Sequence, residues 1–194
     1  MNIAHYFTFS RVFLIPFFPL VYLHPDWFGL SFKMVPYVLL LILLFCEISD
    51  LMDGFLARKK KLVSDLGKII DPMADAITHI SVFLTFTQGA IGAPLLIVFV
   101  LLYREMVISA LRTLCALKGF ALAAKRSGKI KAVFQAVVSF LIVLMLIPYS
   151  LGKISLAFLQ RASLVLLSLA AVYSVLSAVD YFLSSWSYLR RPKK

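Results

Sequence analysis

The chain has 194 residues, 62% hydrophobic and only 15% charged, where an average soluble domain is roughly 45–50% apolar and about 25% charged. That balance excludes a soluble globular domain, and equally a disordered chain. Lys and Arg outnumber Asp and Glu by 20 to 9, and the net charge of +11 in so apolar a chain points to cytoplasmic loops and anionic membrane lipids, not to nucleic acid.

Residues 3–23 are apolar around Arg11. No basic stretch precedes them and no small-residue cleavage site follows, so they read as a retained helix and not as a signal peptide. A membrane crossing takes about 20 mostly apolar residues. Six stretches qualify: 6–24, 34–57, 69–88, 92–117, 130–149 and 158–184. Breaks are expected at His24-Pro25-Asp26, at Lys59-Lys60-Lys61, at Gln88-Gly89, across 118–129, and at Ser150-Leu151-Gly152-Lys153. No repeat or linker interrupts the chain, so 1–194 reads as one all-α integral membrane domain with six transmembrane helices. Five or seven crossings are the alternatives, because the last stretch is long and carries Asp180.

Charge orients the helices. Arg58, Lys59, Lys60, Lys61 and Lys68 fall at one connection, and Lys118, Lys125, Arg126, Lys129 and Lys131 at another. Arg190, Arg191, Lys193 and Lys194 end the chain. The opposite connections hold only Lys33, then none, then Lys153 and Arg161. The positive-inside rule places the rich side, and with six spans both termini, in the cytoplasm.

Of the nine acids, six lie between Glu47 and Asp75. Carboxylates in membrane helices are costly and usually mark function. Asp50 and Asp53 are three apart and Asp71 and Asp75 four apart, so each pair shares a helix face. A short loop joins their helices, which makes the helices antiparallel neighbours and brings the four acids together near the cytoplasmic surface. Four carboxylates at close range cannot all stay ionised without cations. Oxygen-ligating divalent ions, Mg²⁺ or Mn²⁺, are the natural partners. The competing reading, salt bridging to Arg58 and Lys68, supplies only two positive charges. Gly54 and Ala57 beside the acids either let a ligand approach the backbone or serve close helix packing. Arg58 is placed for a phosphate.

Taken together, Asp50-x-x-Asp53-Gly54-x-x-Ala57-Arg58, eight residues, then Gly67-x-x-x-Asp71-x-x-x-Asp75 resembles the complete signature of the CDP-alcohol phosphatidyltransferase family. The resemblance extends along most of the chain. It implies a reaction in which an alcohol attacks the β-phosphorus of a CDP-activated lipid, CDP-diacylglycerol, and CMP leaves. It implies two divalent metals held by Asp50, Asp53, Asp71 and Asp75, with Asp75 as general base. Gly54, Ala57 and Arg58 would line the CDP pocket beside Asp50 and Asp53, with Gly67 at the turn into the third helix. It also implies a homodimer, which is frequent in the family, and a bacterial inner membrane, with mitochondria as the alternative; the charge asymmetry turns the site to the cytoplasm. Spacing alone does not say which acid is the base. Pro72 lacks an N–H and either lies harmlessly in the first turns of the third helix or kinks it.

Tyr103-Arg104-Glu105-Met106-Val107-Ile108-Ser109-Ala110-Leu111-Arg112 is similar to a stretch of the family's phosphatidylglycerophosphate synthase branch. So are Gly128-Lys129-Ile130-Lys131 with Gln135, and the opening Asn2 and Thr8-x-x-Arg11, which adds Thr8 to the expected CDP-lipid contacts. The acceptor implied is glycerol 3-phosphate. Arg104 and Arg112, eight apart and so about 80° apart around the helix, together with Lys129 and Lys131 suit an anionic acceptor. Lys129 and Lys131 equally suit a role as positive-inside anchors, and Glu105 a structural partnership with another helix. His5 and Ala76 depart from that branch, where Asn and Lys are usual; other acceptors, such as inositol phosphate, serine or phosphatidylglycerol, are therefore the nearest alternative. A divalent-cation transporter is the alternative outside the family. His79, one turn after Asp75, and Cys46 and Cys115 read as core residues.

Overall fold

The computed structural model describes residues 10–59, 67–117 and 126–189, with the side chains of 53–59, 67–72, 116–117 and 185–189 left undescribed. Among the described residues the chain is all helix, turn and bend. In chain order these are α1 (Ser10–Leu23), α2 (Val35–Lys59), α3 (Gly67–Thr85), α4 (Leu95–Leu117), α5 (Arg126–Ser150) and α6 (Leu156–Leu189), with one 3₁₀ turn at Pro25–Phe28.

The breaks follow local chemistry. After α1, Pro25 opens the 3₁₀ turn and Gly29 closes it at φ 62°, a left-handed backbone that glycine adopts without cost. After α3, Gly89 (φ 63°) meets the ring of Tyr22, and a Cβ there would sit 2.9 Å from Tyr22 Cε1. The Tyr22 hydroxyl donates to the Gln88 carbonyl and accepts from the Ile91 amide, both at 3.2 Å, which ties the end of α1 to this loop.

Six helices match the six expected stretches, with shifted ends. α5 begins at Arg126, so Gly128 to Lys131 lie within the helix and not ahead of it. α3 begins at Gly67, which makes Pro72 its sixth residue, beyond the first turn. Val35–Met52, Arg126–Ser150 and Leu156–Ser184 are long and apolar enough to cross a membrane, whereas Ser10–Leu23 and Met73–Thr85 are shorter apolar helices. The apolar sequence of α4 is broken by Arg104, Glu105 and Arg112, while its helix is continuous.

α6 packs on α4 and α5, α5 on α2, and α1 on α2 and α3. The core joins Ile15 and Phe18 of α1, Leu39 and Leu43 of α2, Phe83 and Phe86 at the end of α3, and Ile142 and Leu167 of α5 and α6. The outward faces are equally apolar: Leu41, Val133, Val165, Leu176 and Leu183 are all exposed. Apolar surface on that scale requires lipid around it, and this is a membrane protein.

Candidate active site

Arg11 of α1 stands at the centre. Its Nη1 donates to Asp50 Oδ1 of α2 at 2.7 Å and to Asp75 Oδ1 of α3 at 2.8 Å. The arginine side chain is 3% exposed while the two aspartates are 39% and 37% exposed, so the cation is enclosed and the acids face open space. That space is a cavity of about 100 Å³ lined by Glu47 and Asp50 of α2, Asp75, Thr78 and His79 of α3, and Ala132 and Val133 of α5, with Arg11 and Cys46 at its wall. The second and third helices are thus linked at Asp50 and Asp75 through Arg11 of the first. A charge on α1, that of Arg11, balances part of the acid pair.

Asp53, Gly54, Ala57 and Arg58 follow Asp50 on α2, Gly67 opens α3, and Asp71 lies one turn before Asp75. Their side chains, and Thr8 as a whole, lie outside the described residues. Among the described residues no three acidic, histidine or cysteine side chains gather closely enough to hold a metal. Two carboxylates from different helices facing one cation form an all-oxygen donor set, which fits a hard divalent ion.

The predicted acceptor residues divide. Arg104 is buried, with Nε donating to the Ser174 carbonyl at 3.3 Å and Nη2 to Ser177 Oγ at 2.6 Å on α6. Its Nη1 reaches both oxygens of Glu105 at 3.2 Å. Lys131, also buried, pairs with the same Glu105 from α5, close enough to feel the charge of Asp75 as well. Glu105 is thus the expected structural partner, and the helix it joins is α5. Arg112 donates from Nη2 to the Tyr181 hydroxyl at 2.9 Å. Lys129 is exposed.

Several contributors carried little sequence signal. Arg11 belongs to a motif match but sits 39 residues from Asp50, and nothing in the spacing links them. His79 lines the cavity and also stacks on Phe83, at 6.5 Å between centroids and 22° between planes, so it serves both site and core. Cys46 likewise belongs to both. On the same α2–α5 seam, an apolar groove of about 430 Å³ is lined by Tyr37, Leu40, Leu41, Leu44 and Phe140. Leu40, Leu44, Glu47 and Leu51 follow one another at helical spacing along one ridge, from groove to cavity.

Comparison with known proteins decides the family. The CDP-alcohol phosphatidyltransferase family model matches residues 1–176.

The chain belongs to the CDP-alcohol phosphatidyltransferase family.

Three of its relatives share one name. The chain is 31% identical, over 97% of each chain, to the Bacillus subtilis (strain 168) protein named CDP-diacylglycerol--glycerol-3-phosphate 3-phosphatidyltransferase. Proteins of the same name from Yersinia enterocolitica and Yersinia pestis are 32% and 33% identical, each over 99% of both chains. Cavity, carboxylates and Arg11 all fall within the matched residues.

Proposed function

We propose that the protein transfers the phosphatidyl group of CDP-diacylglycerol to the hydroxyl of glycerol 3-phosphate, giving phosphatidylglycerophosphate and CMP. The observation that carries this is the meeting of Asp50 and Asp75, from two helices, on Arg11 at a cavity wall, within a complete family signature. The new bond joins the acceptor oxygen to the β-phosphorus, the bond from that phosphorus to CMP breaks, and the hydroxyl proton passes to Asp75. A carboxylate within hydrogen-bond reach of the attacking hydroxyl contributes about 10²–10⁴-fold. Asp50, Asp53, Asp71 and Asp75 would hold two Mg²⁺ or Mn²⁺ ions, whose chemistry when bound is neutralisation of diphosphate charge.

The chain's own groups do the positioning on which phosphoryl transfer depends. Arg11 fixes the mutual orientation of Asp50 and Asp75. Asp53, Gly54, Ala57, Arg58, Gly67 and Thr8 would contact the CDP moiety. Arg104, Arg112 and Lys131 would set a positive field for the acceptor phosphate, with Lys129, at the surface, facing lipid headgroups. The groove of Tyr37, Leu40 and Leu44 gives the acyl chains an apolar path out of the cavity. Six spans with both termini inside would open the cavity to the cytoplasm, in the inner membrane of a bacterium, as a homodimer.

The test is CMP release by purified protein with CDP-diacylglycerol and Mg²⁺ or Mn²⁺. We expect release with glycerol 3-phosphate and none with inositol phosphate, serine or no acceptor. Release with another acceptor would keep the donor reading and overturn the acceptor. No release from folded protein with any of them would overturn the reaction.

A further inference from the structure

Tyr181 lies on α6 between exposed Asp180 and Phe182, yet it is 0% exposed and is among the largest fully buried side chains. It falls beyond residue 176, where the family match ends. Its ring packs on Ile108 and Leu111 of α4. Its hydroxyl accepts from Arg112 Nη2 at 2.9 Å, and the guanidinium carbon is 5.3 Å from the ring centroid. The ring also presses on α5: a Cβ at Gly128 would come within 3.0 Å of Tyr181 Cε2 and of its hydroxyl oxygen. Beside it, Ser127 Oγ donates to Asp180 Oδ2 at 2.6 Å. Residues 180 and 181 therefore hold two helices at once: α4 at Arg112, and α5 three residues before Lys131.

The two arginines of α4 are held differently. Arg104 is bound to a carboxylate, Glu105, which cancels charge as well as fixing geometry. Arg112 is bound to a neutral hydroxyl and lies over an aromatic face, and among the described residues it has no carboxylate within ion-pair distance. A neutral partner orients a guanidinium and leaves its charge available to an incoming anion. A phenylalanine would fill the same volume; only the hydroxyl gives the arginine a direction.

We propose that Tyr181 is a positioning residue for the acceptor. It aims Arg112 at the phosphate of the phosphorylated alcohol and, through Gly128, fixes the register of α5 against the helix that carries this arginine. This rests on the acceptor reading given above.

The experiment compares wild type, Tyr181→Phe, Arg112→Ala, the double variant and Gly128→Ala, each purified and checked by thermal melt. Steady-state CMP release is measured against glycerol 3-phosphate and, separately, against CDP-diacylglycerol. We expect Tyr181→Phe to raise the KM for glycerol 3-phosphate about fivefold, with donor KM and Tm unchanged. Arg112→Ala raises it further, and adding Tyr181→Phe to Arg112→Ala changes the acceptor KM no more, because the hydroxyl acts on the acceptor through the arginine. Gly128→Ala displaces the ring without deleting the hydroxyl and shifts the same KM in the same direction. If Arg112→Ala raises the acceptor KM and Tyr181→Phe and Gly128→Ala do not, the positioning role is overturned while the acceptor reading stands. Additive effects in the double variant, or equal effects on both substrates with a lowered Tm, also overturn it. If Arg112→Ala leaves the acceptor KM unchanged, the acceptor reading of Arg112 fails, and Tyr181 loses its role with it.

Discussion

Around the cavity, two carboxylates from α2 and α3 share one enclosed arginine and stay more than a third exposed. Next to it, two buried cations from α4 and α5 share one carboxylate, Glu105, which is only 16% exposed. The first arrangement is rich in acids and open. The second is rich in cations and closed, with Ser174 and Ser177 completing the hydrogen bonds of Arg104. An open cluster in which, among the described residues, two carboxylates face one arginine is suited to take up cations from solution. A closed cluster whose charges meet within the fold serves first to hold helices together, since taking away one member strands the others in a medium that solvates them badly.

The most severe disruption is expected on the open side. Asp75→Asn should lower turnover by about 10³-fold or more while donor binding is largely retained; CMP release beside equilibrium binding of CDP-diacylglycerol checks this. Turnover near wild type would remove Asp75 as the base. Chelation should act on the same side and spare the other: activity falls to background in excess EDTA and returns with Mn²⁺ or Mg²⁺, while the thermal melt changes little. On the closed side the effect should be on stability. Glu105→Gln leaves Arg104 and Lys131 without their carboxylate, at a cost of about 3 kcal/mol, read as a lowered Tm in detergent. An unchanged Tm together with lost activity would move Glu105 from scaffold to chemistry. Smallest of all should be Lys129→Ala. Its side chain is at the surface, where a lone charge counts for little, so a change in acceptor KM beyond about twofold would place it back among the acceptor ligands.

The same division explains what could be read from the sequence. Helices and their breaks were legible because Pro25, Gly89 and the 150–153 segment act locally, through φ angles and missing donors. The carboxylates were legible because acids are rare in apolar helices and their spacing fixes a face. Arg11 was visible as a charge but not as the partner of Asp50 and Asp75, since contact between α1 and both other helices is set by tertiary packing. Lys131 read as an anchor or phosphate ligand; its pairing with Glu105 depends on the rotation of α5 against α4, which a helical period does not specify. Tyr181 carried no signal at all. An aromatic in an apolar stretch looks the same whether it faces lipid or lies buried among three helices.

The seam between α2 and α5 carries the polar cavity at one level and the groove of Tyr37, Leu40, Leu41, Leu44 and Phe140 at another. A substrate admitted along such a seam arrives by diffusion in two dimensions. The concentration that governs saturation is then the mole fraction of donor in the bilayer or micelle, not its amount per litre. Diluting the donor with inert lipid at constant bulk concentration should slow the enzyme, and diluting the whole suspension with buffer at saturating acceptor should not.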